Sequence, residues 1–314
     1  SYDSDGNILI GQNARRAAGA VLRYTSAGAR DTSFTPIRRI PRGGCAQHIN
    51  PRRNIMNQRF RKASTVKFVD NAINNEGIIF IVSQERRLLN YVFGFSENGR
   101  NCRFAISGSQ GGRMFDIDVK NIGGTNYLFM AGIRNRSRGY FKVTNLTTMQ
   151  STYTEFNNRN HITRRHHRFS VNNDGSRIYF SDAANGGDLV GYTLDASGPS
   201  FTLGNEVIRC EAVNNPNLTN QLMYTTAVGV DPDDSNIIYT SSHVNHALQR
   251  IDVSDGTCSV TTSVGSGMPS GQKNTGDAGS RAANDVNFNQ VWALHVTSTS
   301  ILTGTQSGYV DEFN

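Results

Sequence analysis

The apolar residues of this chain come in short runs separated by polar, turn-forming clusters. The runs are rich in Ile, Val, Tyr, Phe and Thr, and Gly, Asn, Asp and Ser fill the intervals between them. Runs of this composition bounded by turn formers are typical of β-strands, whereas amphipathic helices need apolar residues three and four positions apart. The pattern therefore predicts an all-β protein.

The runs repeat as a unit of a turn, an apolar strand, a polar gap and a second apolar strand. Its six copies pair residues 5–11 with 20–25, 75–83 with 88–95, 123–132 with 139–144, 174–182 with 189–195, 233–242 with 247–253, and 298–304 with 308–313. Another strand precedes most copies, at 66–69, 114–119, 168–171, 227–230 and 292–296. Short strands that recur at a fixed period are typical of β-propellers.

We therefore expect one domain over residues 1–314, a six-bladed β-propeller with four-stranded antiparallel blades. The first copy has no good preceding strand and the last copy ends after its third, so we expect the ring to be closed by mixing of the two termini. A two-sheet sandwich is the alternative, although a sandwich does not require six similar units.

The four cysteines, Cys45, Cys102, Cys210 and Cys258, have no CxxC spacing, which argues against a zinc knuckle or a redox pair. In the pair Cys45 and Cys102, and again in the pair Cys210 and Cys258, the two cysteines belong to consecutive repeated units. We therefore predict disulfides Cys45–Cys102 and Cys210–Cys258, one of three possible connectivities.

Three Asn-x-Ser/Thr sequons, at Asn135, Asn145 and Asn217, agree with an oxidising route and predict glycosylation. Together with the disulfides they predict an extracellular protein, secreted or at the cell surface. No apolar run approaches the roughly 20 residues that would cross a bilayer.

Lysines and arginines outnumber acidic residues by 32 to 25, which leaves a net charge of +7. An insertion at 38–63, between the first two units, carries no acidic residue, and a second basic stretch leads into the fourth unit. The predicted ligand-binding arginines are Arg38, Arg39, Arg52, Arg53, Arg59, Arg61, Arg164 and Arg165. They predict a basic face for an acidic or sulfated glycan or a protein partner. An arm that packs on the propeller or on a neighbouring chain is the alternative for 38–63.

Nucleic acid is the weakest of the partner hypotheses, because the chain has no recognised reading motif and carries disulfides and sequons.

Histidines near the predicted innermost strands suggest a metal site. His166 and His167 precede one such strand and His295 lies within another, so a divalent metal in the central channel is the cofactor hypothesis. His243 and His246 lie in a predicted loop, without a helix that would bring them together.

Catalytic residues cannot be assigned from motifs. The chain lacks a GxSxG elbow, and its cysteines are better used as disulfides. A lyase needs a His or Tyr base beside an Arg, and these residue types are supplied by His166, His167, Arg164, Arg165 and Tyr192.

Four stretches resemble known propeller repeats. Residues 5–34 resemble a delta-60 repeat, residues 265–296 resemble the glycine-rich lead-in of an NHL repeat, and residues 166–195 and 224–253 resemble blades of lactonase-like and SMP30-like propellers. The SMP30 resemblance implies a divalent ion held in the channel by acidic and amide side chains. Asp70 and Asn71 are the nearest candidates here, although they fit turn positions better.

Two functional hypotheses follow. The first is a non-enzymatic binding or assembly module for an acidic glycan or a protein. The alternative is a metal-dependent enzyme of the lactonase or lyase type at the mouth of the channel. An enzyme should bring His, Asp or Glu side chains together inside a concave pocket.

Overall fold

The structure is a computed structural model of the 314-residue chain. It describes residues 1–11, 21–41, 45, 47–49, 59–60, 63–83, 90–108, 112–135, 138–157, 168–182, 187–213, 221–222, 224–242, 247–264, 291–305 and 310–313. The chain divides into two compact units, one of Ser1–Asn157 with Ser197–Ser200 and the other of Asn158–Ala196 with Phe201–Asn314. In the described residues no helix has the length and apolar character needed to cross a membrane.

Unit 1 contains a hairpin and two larger sheets. The hairpin pairs β1 (Ile8–Gly11) with β2 (Val21–Tyr24). The next sheet contains β3 (Gln47–Ile49), β4 (Ala63–Ile73), β5 (Glu76–Ser83), β6 (Tyr91–Ser96) and β7 (Cys102–Ser107), in the order β3-β7-β6-β5-β4. The third is a meander of β8 (Arg113–Ile122), β9 (Thr125–Asn135), β10 (Arg138–Asn145) and β11 (Ser151–Asn157).

Unit 2 contains three sheets, each in sequential order. The first, whose hairpin tip Ser197–Ser200 is assigned to unit 1, has β12 (Phe169–Val171), β13 (Arg177–Asp182), β14 (Asp188–Ser197) and β15 (Ser200–Cys210). The second has β16 (Ala227–Val230), β17 (Ile237–Ser242), β18 (Ala247–Asp252) and β19 (Ser259–Val264). The third has β20 (Val291–Val296), β21 (Ile301–Thr305) and β22 (Val310–Phe313).

The prediction of an all-β chain with four-stranded antiparallel units is confirmed. The five predicted preceding strands lie in β4, β8, β12, β16 and β20. The predicted number of six blades is wrong for the described residues, where five sheets have three or more strands. The first copy forms only the hairpin β1–β2. Closure of a ring by the two termini stays a prediction.

The chain after β2 explains why the first copy stays small. Instead of adding a third strand, it returns along the hairpin, where Val21 and Ile37 exchange backbone hydrogen bonds of 3.1 and 3.2 Å. Phe34, Ile37 and Ile40 are buried in one apolar cluster with Ile79 and other side chains of the β3–β7 sheet. The hairpin therefore packs onto the second copy instead of growing into a larger sheet.

Part of the predicted insertion at 38–63 also joins that sheet, because β3 runs parallel to β7 at its edge. Both predicted disulfides, Cys45–Cys102 and Cys210–Cys258, are confirmed. They are consistent with an extracellular protein. The NHL resemblance is not confirmed, and most of the residues that carry it, 265–290, lie outside the described residues.

Strand β5 shows how the sheets are packed. Residues Ile78 to Val82 are all 0% exposed. Ile79 and Ile81 belong to the cluster shared with the hairpin, whereas Ile78, Phe80 and Val82 belong to a cluster shared with the β8–β11 sheet. Alternate side chains of a strand point to opposite faces, so both faces of this sheet are buried. In unit 2 an equivalent cluster joins the β12–β15 and β16–β19 sheets.

Glycines opposite aromatic side chains allow this close packing. Gly94 lies opposite Phe104 across β6 and β7, and a Cβ atom on Gly94 would come within 2.2 Å of the Phe104 ring. Gly132 faces Tyr140, and Gly191 faces Tyr179, in the same way. The aromatic ring fills the space that the glycine leaves open.

We expect Gly94→Ala to destabilise the protein by about 1–3 kcal/mol, because the added methyl would overpack a buried ring. The measurement is the free energy of unfolding in denaturant. Gly304→Ala is the control, since its Cβ would meet only the Ala293 Cβ, at 3.3 Å. Equal effects of the two substitutions would contradict this account.

Candidate functional site

The two ends of the β12–β15 sheet differ in chemistry. At one end the strands are joined by short turns such as Asn172–Ser176, where Asn172 Oδ1 accepts a hydrogen bond of 2.9 Å from the Arg177 backbone. At the other end β13 stops and β14 starts, and the buried side chains are polar: Ser181, Asp182 and Asp188. Buried polar groups need partners, so this end holds a polar network.

Arg209 is the centre of that network, which we call the Arg209 cluster: Asp182, Asp188, Tyr192, Glu206 and Arg209. Arg209 Nη1 donates to Asp188 Oδ2 at 3.1 Å and lies 3.9 Å from Asp182 Oδ2. Its Nε and Nη2 donate to the two Glu206 oxygens at 3.0 and 2.9 Å. The side chains of Asp182 and Asp188 are 2% and 8% exposed and that of Arg209 is 21% exposed. One guanidinium therefore holds three carboxylates at the edge of solvent.

The two aspartates are positioned by backbone pairing, because Asp182 and Asp188 face each other across β13 and β14. Asp188 Oδ1 also accepts a hydrogen bond of 2.9 Å from the backbone of Ala212, just beyond β15. Three consecutive segments of the sheet thus fix the pair of carboxylates. The hydrogen bond to Glu206 raises the pKa of Arg209, so the guanidinium stays charged.

Tyr192 adds a hydroxyl group to the cluster. It donates to Glu206 Oε2 at 3.4 Å. Burial, followed by the charge of Glu206, raises the pKa of Tyr192 to about 12. At neutral pH the phenol is therefore protonated and acts as a hydrogen-bond donor.

Arg168, the last residue of the second predicted basic stretch, lies beside these groups. It is the first described residue of that stretch, and the Ser181 backbone donates to the Arg168 carbonyl at 3.0 Å. Ser181 Oγ accepts from the Arg168 backbone at 3.1 Å. The predicted residues Arg164, Arg165, His166 and His167 lie outside the described residues.

The predicted basic face is described only in part. Arg38, Arg39 and Arg59 are exposed, and a β-bridge pairs Arg39 with Arg59. The Phe60 backbone donates to the Arg38 carbonyl at 2.8 Å. Within the described residues none of these three arginines has an ion-pair partner. Arg52, Arg53 and Arg61 lie outside the described residues.

The predicted histidine site is not assembled in the part of the chain that the structure describes. His295 is half-buried on β20, opposite Leu302. His243 and His246 lie outside the described residues. The one described group of three potential metal ligands is Asp3, Asp5 and Glu97, in unit 1. The candidates Asp70 and Asn71 lie in β4 near its turn, with Asn71 at a positive φ of 50°.

Of the sequons, only Asn145 has a described side chain. It is buried, its Oδ1 accepts from the Thr147 and Thr148 backbones at 2.9 and 3.1 Å, and its Nδ2 donates to the Pro199 carbonyl at 3.5 Å. A glycan on Nδ2 would displace that last contact. Asn135 ends β9 and Asn217 lies outside the described residues, so glycosylation stays a prediction.

Tyr192 is the member of the Arg209 cluster that was predicted from the sequence, whereas Asp182, Asp188, Glu206 and Arg209 were not predicted. A local signal was present, because Asp182 ends an apolar strand and Asp188 starts the next. That Arg209 lies beside both aspartates could not be predicted from the spacing of these residues in the sequence.

Comparison with known proteins identifies the fold. No protein-family model and no curated protein sequence matches the chain. Among solved structures, a candidate 6-phosphogluconolactonase from Bacteroides fragilis matches with a TM-score of 0.53 and 12% identity, over 100% of this chain and 82% of that one. The chain has a β-propeller fold.

Other solved structures show the same likeness. A periplasmic gluconolactonase from Pseudomonas aeruginosa matches with a TM-score of 0.52 and 12% identity, over 83% of this chain and 68% of that one. A protein of unknown function from Bacteroides caccae matches with a TM-score of 0.55 and 10% identity, over 98% and 90%. At these identities the likeness shows the propeller fold, with lactonase-like structural neighbours, and does not show an activity.

Lys142 is a second titratable group with a large shift, in unit 1. Its Nζ donates to the Ser107 carbonyl at 2.7 Å, and burial lowers its pKa to about 8. A lysine with a pKa near 8 has the proton affinity of a catalytic base. Its position between β10 and the end of β7 instead ties two sheets together.

We expect Lys142→Met to change the pH dependence of stability. The folded pKa of about 8 lies below the ordinary value of 10.5, so the folded state binds fewer protons between these values. The free energy of unfolding of the wild type should therefore increase as the pH rises through this window. Below the window the buried lysine is charged in both states, and the full cost of its desolvation is present. Denaturant unfolding at both ends of the window measures the difference, and the variant should lose this rise. Arg113→Met, at an exposed position of β8, should keep it. Parallel pH curves for the wild type and Lys142→Met would contradict the assignment.

Proposed function

We propose that this propeller is a lactonase-type hydrolase that opens the cyclic ester of a sugar acid. The observation that carries the proposal is the Arg209 cluster, in which a guanidinium holds two buried aspartates at the polar end of a sheet. The fold shared with a gluconolactonase and with candidate 6-phosphogluconolactonases supports this substrate class.

The chemistry uses one carboxylate of the Asp182/Asp188 pair as general base. It takes a proton from a water molecule while the water oxygen attacks the lactone carbonyl carbon. The ring C–O bond then breaks, the proton passes to the departing oxygen, and the product is a hydroxy acid. Arg209 places its positive charge beside both carboxylates, at 3.9 Å from Asp182 and 3.1 Å from Asp188.

Tyr192 favours hydrolysis over elimination. A lyase of the predicted type would use a His or Tyr as the base that removes a proton from carbon, and Tyr192 is the described one of the three predicted candidates, His166, His167 and Tyr192. With its pKa raised to about 12, the phenol is a poor base at neutral pH. As a donor, it is suited to stabilise negative charge on the carbonyl oxygen during water attack.

The divalent metal of the alternative hypothesis does not fit the described part of this cluster. Asp188 and Glu206 are engaged by Arg209, whose positive charge would repel a divalent ion. No step of the proposed hydrolysis therefore uses a metal ion.

We expect Asp182→Asn or Asp188→Asn to lower kcat for glucono-1,5-lactone hydrolysis by about 10²–10⁴-fold, the usual contribution of a general base. Stopped hydrolysis assays measure the product acid. Asp195→Asn, an exposed aspartate on the same strand β14, should leave kcat unchanged. Circular dichroism of each variant checks that the propeller is folded.

Two outcomes would overturn this proposal. One is a folded wild-type protein that does not accelerate lactone hydrolysis. The other is activity that disappears on treatment with EDTA and returns with a divalent ion, which would instead support the metal-dependent enzyme.

A second candidate function is binding of an acidic glycan by the predicted basic face. The observation in its favour is the β-bridge between Arg39 and Arg59, which brings the two ends of the basic insertion together. Arg38, Arg39 and Arg59 are exposed there. Adjacent guanidinium groups attract sulfate and carboxylate groups, and salt weakens that attraction.

We expect Arg39→Ala with Arg59→Ala to elute from a sulfated-polysaccharide column at lower salt than the wild type. Arg30→Ala with Arg113→Ala is the matched control, because it removes the same charge from two other exposed positions. If both double variants shift equally, retention reflects net charge and the basic face is not a site.

A further inference from the structure

A polar pocket of about 460 Å³ lies at the turn end of the β3–β7 sheet, in unit 1. Its lining residues are Arg23, Ser33, Phe34, Asp70, Asn75, Glu76, Gly77, Ser96, Glu97, Asn98, Arg100 and Arg103. We propose that this pocket binds a neutral saccharide. The pocket shares no residue with the Arg209 cluster, and its volume lies within the range of about 300–1,000 Å³ usual for small-molecule sites.

Unusual turns build the pocket wall. Asn74 and Asn75 have positive φ angles of 51° and 61° in the β4–β5 turn, where asparagine tolerates a left-handed backbone. Gly99, at a φ of 74°, forms the β6–β7 turn, and a Cβ there would come within 2.7 Å of the Thr35 carbonyl oxygen. The two turns thus bring polar side chains from separate strands to one cavity.

Three of the six charged lining residues, Arg23, Glu76 and Arg103, are already in ion pairs. Arg23 donates to Asp3 Oδ2 at 3.1 Å and to Asp31 Oδ2 at 2.6 Å, and its guanidinium lies 5.1 Å from the Phe34 ring centre. This cation–π contact covers the aromatic face. Phe34 therefore supports the wall and leaves recognition to the polar groups.

Several hydrogen-bonding groups remain for a ligand. Arg103 engages Glu76 through Nη2 alone, at 2.6 Å, which leaves its Nη1 without an ion-pair or hydrogen-bond partner among the described residues. Arg100 makes no ion pair within the described residues. On the acceptor side, Glu97 uses Oε1 to accept from Ser4 Oγ, which leaves Oε2. Asn98 uses Oδ1 in the turn, which leaves its amide donors.

The mixture of donors and acceptors selects the ligand class. The lining contains three arginines and three carboxylates, so its formal charge is zero. An anion would meet Asp70 and Glu97, and a cation would meet Arg100 and Arg103. A hydroxyl group both donates and accepts, so neighbouring sugar hydroxyls can bridge an arginine and a carboxylate without an unpaired charge. A neutral saccharide therefore fits better than phosphate or a metal ion.

The test titrates the whole protein with glucose, galactose and N-acetylglucosamine, observed by ligand-detected NMR and calorimetry. We expect at least one of these to bind at millimolar concentrations. Arg100→Ala should weaken that binding by roughly ten-fold or more, because it removes charged hydrogen bonds. Arg113→Ala, an exposed arginine outside the pocket, should not change it.

The variant Asn75→Gly tests whether the Asn75 amide contributes to saccharide binding independently of its effect on folding. Glycine adopts the positive φ of this turn readily, so the turn should persist while the amide is lost. We expect weaker saccharide binding with an unchanged unfolding midpoint.

The proposal fails if no sugar of the panel binds, or if Arg100→Ala and Arg113→Ala behave alike. It also fails if inorganic phosphate, glycine or Ca²⁺ binds with the same dependence on Arg100 or Glu97. Ca²⁺ is included because Glu97 also belongs to the Asp3–Asp5–Glu97 group. Asp188→Asn should leave saccharide binding intact, so failure of this site and failure of the hydrolase proposal are distinguishable.

Discussion

Burial of both faces of a sheet is the constraint on which this structure depends. A strand such as β5 has alternate side chains in two different apolar clusters, so neither face can carry charged groups. Along such a strand polar groups are confined to the ends, where water is accessible, whereas β8 carries the buried Asp116 and Asp118, which are paired with Thr65 and Lys67. Both sites inferred above follow from this, since the Arg209 cluster and the polar pocket each lie where strands end.

Much of the fold could be predicted because the apolar runs are local. Runs such as Ile78 to Val82 mark strands whatever their partners, and the repeated register of the cysteines selected the correct disulfides. The number of blades could not be predicted in the same way. Residues 5–25 have the pattern of a blade, yet the buried Phe34 and Ile37 turn the chain back onto its neighbour. Whether a repeated unit forms a full blade or folds back onto its neighbour is therefore decided by tertiary packing.

The candidate site was harder to predict than the fold, because its members converge from three segments. Asp182 and Asp188 are near in sequence, whereas Arg209 joins them only when β15 is placed in the sheet. The arginines that were predicted from the sequence could be recognised because many of them lie close together along the chain. Arg209 can be recognised only by its ion-pair partners in the folded chain, because a single basic residue in a polar strand has no local sequence signature.

The basic insertion is tied down close to both of its ends. The Arg39–Arg59 bridge joins its two flanks, and Cys45–Cys102 and β3 fix its first part to the neighbouring sheet. A segment anchored in this way can change in length and composition between its anchors at little thermodynamic cost. The propeller thus has a position where new surface chemistry could be acquired by sequence drift without any revision of the core.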